Sequence, residues 1–381
     1  MDSQRGAHFN LSWWGLIGAG LVGIGFGQTL GQPFAQHRDA SAASASLPQE
    51  TQVSQLGTAA VQAEVQSGAV IFRVRDQVVA RYVTDPHYAK PFLYPLKAPS
   101  GAPVTRGWPV EKGLPGEVTT DHVHQKSVWF CHGDVIPEGV ELKIKTTERG
   151  GQGVDFWSEA KDKDGTPRHG RIVCVQVGKP QQLAPGQVRV ETVNEWLTPD
   201  GVKILDEVRV IQCLTQPHGY LFVFDITVKA PVCPITFGDT KEGSFGIRVH
   251  DALRPSQPTG AIITTAEGKS IAPPAKDNLP IWGQPSAWID YSGKVGDKAV
   301  GVAVFDHPSN PPASWHVRAY GLNAANPFGR QRSGFPSQKG KTELIRIPQG
   351  GELKLRYGVY AHDGDAATAK VAKVYDLFRK L

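Results

Sequence analysis

The sequence predicts an all-β protein, a large β-sandwich closed by one C-terminal helix. Three observations predict it. Segments that alternate apolar and polar residues recur from about residue 57 onward, the period of half-buried strands. The 42 glycines and 29 prolines supply turns between such segments. No long helical patterns alternate with them, which disfavours a doubly wound α/β sheet.

The first element is apolar. Residues 11–31, LSWWGLIGAGLVGIGFGQTLG, lie in a stretch without Asp, Glu, Lys or Arg from Gly6 to His37. About 20 residues at ~1.5 Å each suffice to cross a bilayer core. Residues 1–36 therefore read as a signal peptide or, slightly favoured, a retained membrane anchor, with Trp13 and Trp14 at an interface. The expected location is exported, in the periplasm or at the cell surface. Residues 37–56 are rich in Ala, Ser and Gln without periodicity and read as a flexible linker. Residues 57–381 carry no comparable linker and read as one large domain.

Within that domain, Ile71–Arg75 and Val78–Val83 flank Asp76-Gln77 and read as a hairpin. Further strands are expected at Val140–Thr147, Arg171–Val177, Val188–Trp196, Val202–Cys213, Tyr220–Val228 and Phe245–Val249. Others follow at Ala261–Thr265, Ala299–Phe305, Glu343–Ile347 and Leu353–Tyr360. Strands at this spacing suit a sandwich or barrel. Val371, Val374, Tyr375 and Phe378 fall at helical spacing after Asp363-Gly364-Asp365, which can cap a helix.

Charge and cysteines exclude several classes. A net charge of +5 without a long basic run makes nucleic acid a poor partner. Cys131, Cys174, Cys213 and Cys233 form no CxxC pair, which removes zinc-ribbon and thioredoxin-type readings. One or two disulfides and four buried thiols both fit. No GxGxxG opening a βαβ unit, no GxxxxGK[ST], no HExxH and no GxSxG occurs, so nucleotide cofactors, zincins and α/β-hydrolases drop out.

Polar residues concentrate in three places, with a smaller fourth patch at Asp155-Phe156-Trp157 and Arg168-His169-Gly170-Arg171. Asp121–Asp134 holds His122, His124, Lys126 and His132. If extended, His122, His124 and Lys126 share one strand face. Such a face can relay protons, bind sugar hydroxyls or hold a metal. Phe237–Arg248 places Asp239, Lys241 and Glu242 among glycines before a strand, material for acid/base work. Phe305–Gly329 carries His307, Trp315, His316, Arg318 and Asn326, and rings beside planar polar groups suit a carbohydrate. Each cluster also has a structural reading as a solvated or packed loop. His122, His124, Glu242 and His316 are the catalytic candidates. Lys126, Asp239, Lys241, His307, Trp315, Arg318 and Asn326 are the substrate-binding candidates. Two imidazoles at i, i+2 fall short of a complete ligand set, so no metal and no cofactor is assigned.

The blocks TDPHYAKPFLYPLKAPSGAPVTR, DHVHQKSVWFCHGDV, FGDTKEGSFGIRV and FDHPSNPPASWHVRAYGLNAANPFG resemble the bacterial PmoA-like family, labelled "methane oxygenase PmoA". A methane monooxygenase subunit crosses the membrane many times, whereas this chain has one apolar segment, so the resemblance implies no methane chemistry. It implies a sandwich resembling the galactose-mutarotase-like supersandwich and a role in bacterial glycan breakdown. Where that family often has two adjacent histidines, this chain has His124-Gln125, which puts in doubt any mechanism that needs the second imidazole. The expected function is an exported carbohydrate-active enzyme using acid/base chemistry of lyase, epimerase or hydrolase type. The alternative is a non-catalytic glycan-binding or scaffold domain.

Overall fold

The computed structural model describes residues 59–381 apart from 148, 149, 274 and 278. The chain divides into two units, 1–46 and 47–381. The predicted anchor and the whole of the predicted linker lie outside the described residues. Among those described, no helix is long and apolar enough to cross a membrane.

Two large antiparallel sheets face each other. The eight-stranded sheet runs, in spatial order, Val61–Gln66, Ala69–Val74, Gln77–Val83, Phe92–Leu96, Val128–His132, Gly243–Arg248, Leu322–Asn326 and Ser314–Val317. The ten-stranded sheet is centred on Lys298–Asp306, Glu352–Asp363, Gly219–Lys229, Lys203–Gln216 and Gln187–Leu197. A three-stranded sheet joins Ile345–Ile347, Ile235–Phe237 and Val135–Pro137. Aromatic pairs bridge the two large sheets: Phe72 with Phe222 at 5.4 Å, Phe130 with Trp196 at 5.9 Å, and Phe245 stacked on Tyr357 at 4.6 Å. The core is thus the gap of a sandwich, and the all-β expectation with one α-helix is borne out.

Period two explains both faces of the ten-stranded sheet. Phe222 and Phe224 point into the sandwich, while Leu221 and Val223 lie beneath the helix Val371–Phe378 with Phe305 and Tyr360. That helix buries Val371, Val374 and Phe378, the stripe read from the sequence. Its start differs from expectation. Asp365 accepts the Thr368 amide at 2.8 Å in a preceding turn, and the helix begins only after Lys370, whose φ is 56°.

The hairpin Ala69–Val74 to Gln77–Val83 turns through Arg75 and Asp76, both with positive φ (48° and 64°), the geometry that suits a two-residue hairpin. Val140–Thr147 is not a strand. Val140 and Leu142 pack partly on the flank of the core, and an apolar flank with no neighbouring ladder gives alternation without a strand. The four cysteines are free thiols, and Cys131, Cys213 and Cys233 are buried.

Candidate functional site

The cleft that gathers the predicted residues lies on the outer face of the eight-stranded sheet. Phe130 and Phe245 point inward, so their chain neighbours Trp129 and Gly246 point outward. Register then aligns Trp129, Gly246, Ala324 and His316 across four strands. The small residue beside the tryptophan makes room for its ring: a Cβ on Gly246 would stand 2.9 Å from the Trp129 ring. The cleft, which His316 lines, has a volume of about 660 Å³.

One rim is the loop before Val128–His132. It is a turn, with Gln125 N–H donating to the His122 carbonyl at 2.9 Å, rather than the extended segment considered above. His122 has φ 44°, a conformation that costs a β-carbon residue energy and recurs at functional sites. Its Nδ1 donates to Asp121 Oδ2 at 2.8 Å. The other oxygen, Asp121 Oδ1, accepts from Arg106 at 2.6 Å and Arg248 at 2.9 Å. Burial pushes the Asp121 carboxyl up. The His122 hydrogen bond and the two guanidinium charges outweigh it and hold the group well below the usual carboxylate range. The His122 ring stacks on Tyr320 at 5.0 Å, and the far face of Tyr320 meets the Arg248 guanidinium at 4.6 Å. A carboxylate thus fixes the tautomer and plane of an imidazole whose Nε2 has no protein partner among the described residues.

His124 sits beside His122, with ring centres 5.7 Å apart, and beside Trp157 at 6.4 Å. Burial, reinforced by the charges of Lys90 and His122, pushes its pKa down to about 3, so it is neutral at ordinary pH. Lys126 turns under the floor instead of into the cleft. Its ammonium donates to Glu159 at 2.5 Å and 2.6 Å and to the Val123 carbonyl at 3.0 Å. Lys90 shares the same carboxylate. Burial and Lys90 push Lys126 down to about 8.

The opposite wall carries Glu242, Lys241, His316 and Arg318. Lys241 Nζ meets Glu242 Oε1 at 2.6 Å. Burial pushes Glu242 up, yet the neighbouring His316 ring and the ion pair with Lys241 prevail and leave its pKa below the ordinary value. His316 Nδ1 donates to the Lys241 carbonyl at 3.0 Å, and its Nε2 accepts from Arg318 Nε at 3.1 Å. Only a neutral imidazole can do both. Burial pushes its pKa down to about 4 against the pull of Glu242.

This neutrality predicts a pH response. His316 and the fully buried His132 resist protonation down to about 4, mainly because they are buried. The unfolded chain takes up those protons near the ordinary 6.5. Between these values the unfolded state binds more protons, so stability falls as pH falls, by about 1.4 kcal/mol per pH unit for each imidazole. Thermal midpoints measured from pH 7 to pH 4 should drop through this window, and a flat profile would refute the neutral state.

His122, His124, Lys241, Glu242, His316 and Arg318 line the one cleft together. Asp239 stands behind it, accepting the Arg330 and Ser333 amides on Oδ1 and the Arg332 amide on Oδ2. Trp315 points to the other face of its strand and donates to the Ser286 carbonyl. Asn326 is buried and ties the Thr240 carbonyl to the Phe328 and Gly329 amides. His307 lies elsewhere, its ring 5.4 Å from Phe378 of the helix. Trp157, Asp155, Asp277 and Tyr320 also line the cleft and were not singled out as site residues. Tyr320 and Trp157 are recognisable only as aromatic residues near the polar clusters. Among the described residues no cluster of His, Cys, Asp and Glu is placed to hold a metal ion.

Solved structures similar to this chain include a galactose mutarotase-like protein from Clostridium acetobutylicum, at 9% identity and TM-score 0.35, covering 80% of this chain and 98% of that one. A putative aldose 1-epimerase from Escherichia coli K12 is similar at 9% identity and TM-score 0.33, covering 80% and 99%. The galactosidase domain of the α-galactosidase-sucrose kinase AgaSK is similar at 8% identity and TM-score 0.37; the match covers 80% of this chain but only 41% of that one. No curated protein matches the sequence. The expected PmoA-like membership is overturned, because the family that the sequence matches is a different one and nothing shows a PmoA-like relationship. Residues 69–376 match the family of unknown function DUF6807, and the chain belongs to that family.

Proposed function

We propose that the protein is an exported carbohydrate-active enzyme whose outer cleft performs acid/base chemistry. The observation that carries this reading is the Asp121–His122 pair, with a free Nε2, sharing a single cleft with the half-buried carboxylate of Glu242. Glu242, held ionised by Lys241, is the base that takes a proton from a sugar hydroxyl or carbon. His122 returns a proton from Nε2 to a sugar oxygen, and Asp121 stabilises the imidazolium form. His124, neutral and without a hydrogen bond to the protein, binds a hydroxyl. His316 is a positioning residue, since both its nitrogens are engaged by the protein.

The test is incubation of the purified full chain with a panel of monosaccharides and oligosaccharides, read by mass spectrometry and by NMR of anomeric and ring protons. Conversion of one panel member supports the reading. Binding without conversion would turn it into a glycan-binding domain, and neither binding nor conversion would sink it. Export, with residues 1–36 as signal or anchor, is checked by fractionation of the native host; a cytoplasmic full-length protein would refute it.

A further inference from the structure

We propose that the sugar bound in this cleft is acidic, a uronic acid or related carboxylate, and that Arg318 is the residue that recognises its carboxylate. The inference rests on the carbohydrate reading above and narrows it to one substrate class.

The other cations around the cleft are paired with carboxylates. Arg106 and Arg248 share Asp121. Lys90 and Lys126 share Glu159. Lys241 pairs with Glu242. Arg318 differs: among the described residues it has no carboxylate within ion-pair distance, although it lines the cleft. Asp277 lines the cleft too but is not within that distance of it.

Arg318 is nevertheless held in place. Its Nε donates to neutral His316 at 3.1 Å. His316 is itself anchored to the Lys241 carbonyl at 3.0 Å. The guanidinium also lies 5.4 Å from the Trp282 ring centre, and Trp282 is braced by Phe335 at 5.2 Å. None of these contacts neutralises the charge. The two Nη groups have no protein hydrogen-bond partner among the described residues. A half-buried, pre-oriented guanidinium fork without a counter-ion matches a planar carboxylate, which it can bind through two parallel hydrogen bonds. A neutral sugar would leave that cation uncompensated on desolvation.

Calorimetric titration of the full chain tests this, with D-glucuronate, D-galacturonate and short oligouronides against D-glucose, D-galactose and their neutral oligomers. At least one uronate should bind about tenfold to a hundredfold more tightly than its neutral counterpart, the range expected for a charge-assisted pair. Arg318→Gln should abolish that preference, bringing uronate affinity down to that for the neutral sugar. Arg318→Lys, which keeps the charge but loses the fork, should recover only part of it. A matching thermal midpoint shows that each variant is folded. Equal binding of charged and neutral sugars, or a preference that survives in Arg318→Gln, overturns the acidic-substrate inference and leaves the carbohydrate reading standing. Preference for glucose 6-phosphate over every uronate overturns the carboxylate assignment. Absence of binding by every sugar, charged or neutral, overturns both.

Discussion

Replacing His122 by Ala should lower turnover of the converted sugar by about 10²–10⁴, the usual worth of a positioned general acid or base. Glu242→Gln should cost a similar factor, and the double variant little more than either single one, because an acid and a base that act as a unit in one reaction are not additive. Asp121→Asn separates orientation from chemistry. It leaves the imidazole present but removes the charge that faces His122, Arg106 and Arg248. Turnover should fall and the thermal midpoint with it, since two buried guanidinium groups lose their shared counter-ion. His122→Ala touches no such cation and should leave the midpoint nearly unchanged. His124→Ala is expected to weaken KM more than kcat, because a group neutral down to about 3 binds rather than shuttles protons. Steady-state kinetics of the four single variants and the double decides the matter. A His122→Ala enzyme with unchanged kcat would remove the imidazole from the mechanism.

Much of this was legible in the sequence, and the physical reason for the remainder is specific. Strands with one solvated face announce themselves by alternation, as Gln187–Leu197 does with its regular buried and exposed positions. Val128–His132 and Leu322–Asn326 are buried at every position. Their alternation is erased, and they read as parts of polar clusters instead. The same strand geometry divides the candidates. Trp315 and His316 are adjacent in sequence and therefore point to opposite faces; His316 reaches the cleft and Trp315 does not. Polar density found the three loops, and residues from all three line one cavity. Density could not show that Lys126 is consumed by Glu159, nor that Arg106 and Trp282, far away in sequence, support His122 and Arg318. Those residues lie on loops that the folded sheets bring together, and one-dimensional spacing does not record it.

The largest loss of stability should come from the polar bridge between the two sheets. Glu207 and Arg209 alternate onto the inner face of Lys203–Gln216, and both are fully buried. Glu207 Oε1 accepts from Arg209 Nε at 2.7 Å and from Asn194 at 3.1 Å, and Oε2 accepts from the Trp196 indole at 2.8 Å. Arg209 Nη1 crosses the sandwich to the Tyr82 hydroxyl at 2.9 Å. Its guanidinium also lies 5.7 Å from the ring centre of Phe130, on the strand that carries Trp129 beneath the cleft. Removing one partner leaves a charge in the core with nothing to offset it. Glu207→Ala should therefore cost about 3–5 kcal/mol, read as a lower urea midpoint at constant slope. The paired replacement Glu207→Leu with Arg209→Met removes both charges and fills similar volume, so most of that loss should return. A cost below about 1 kcal/mol for Glu207→Ala would mean that water reaches this pair and that the gap between the sheets is not dry. Because Phe130 and Trp129 are neighbours on one strand, the same variant should also loosen the floor of the cleft. Sugar affinity is then expected to fall in Glu207→Ala and to recover in the paired replacement, linking a buried ion pair in the core to the geometry of the outer face.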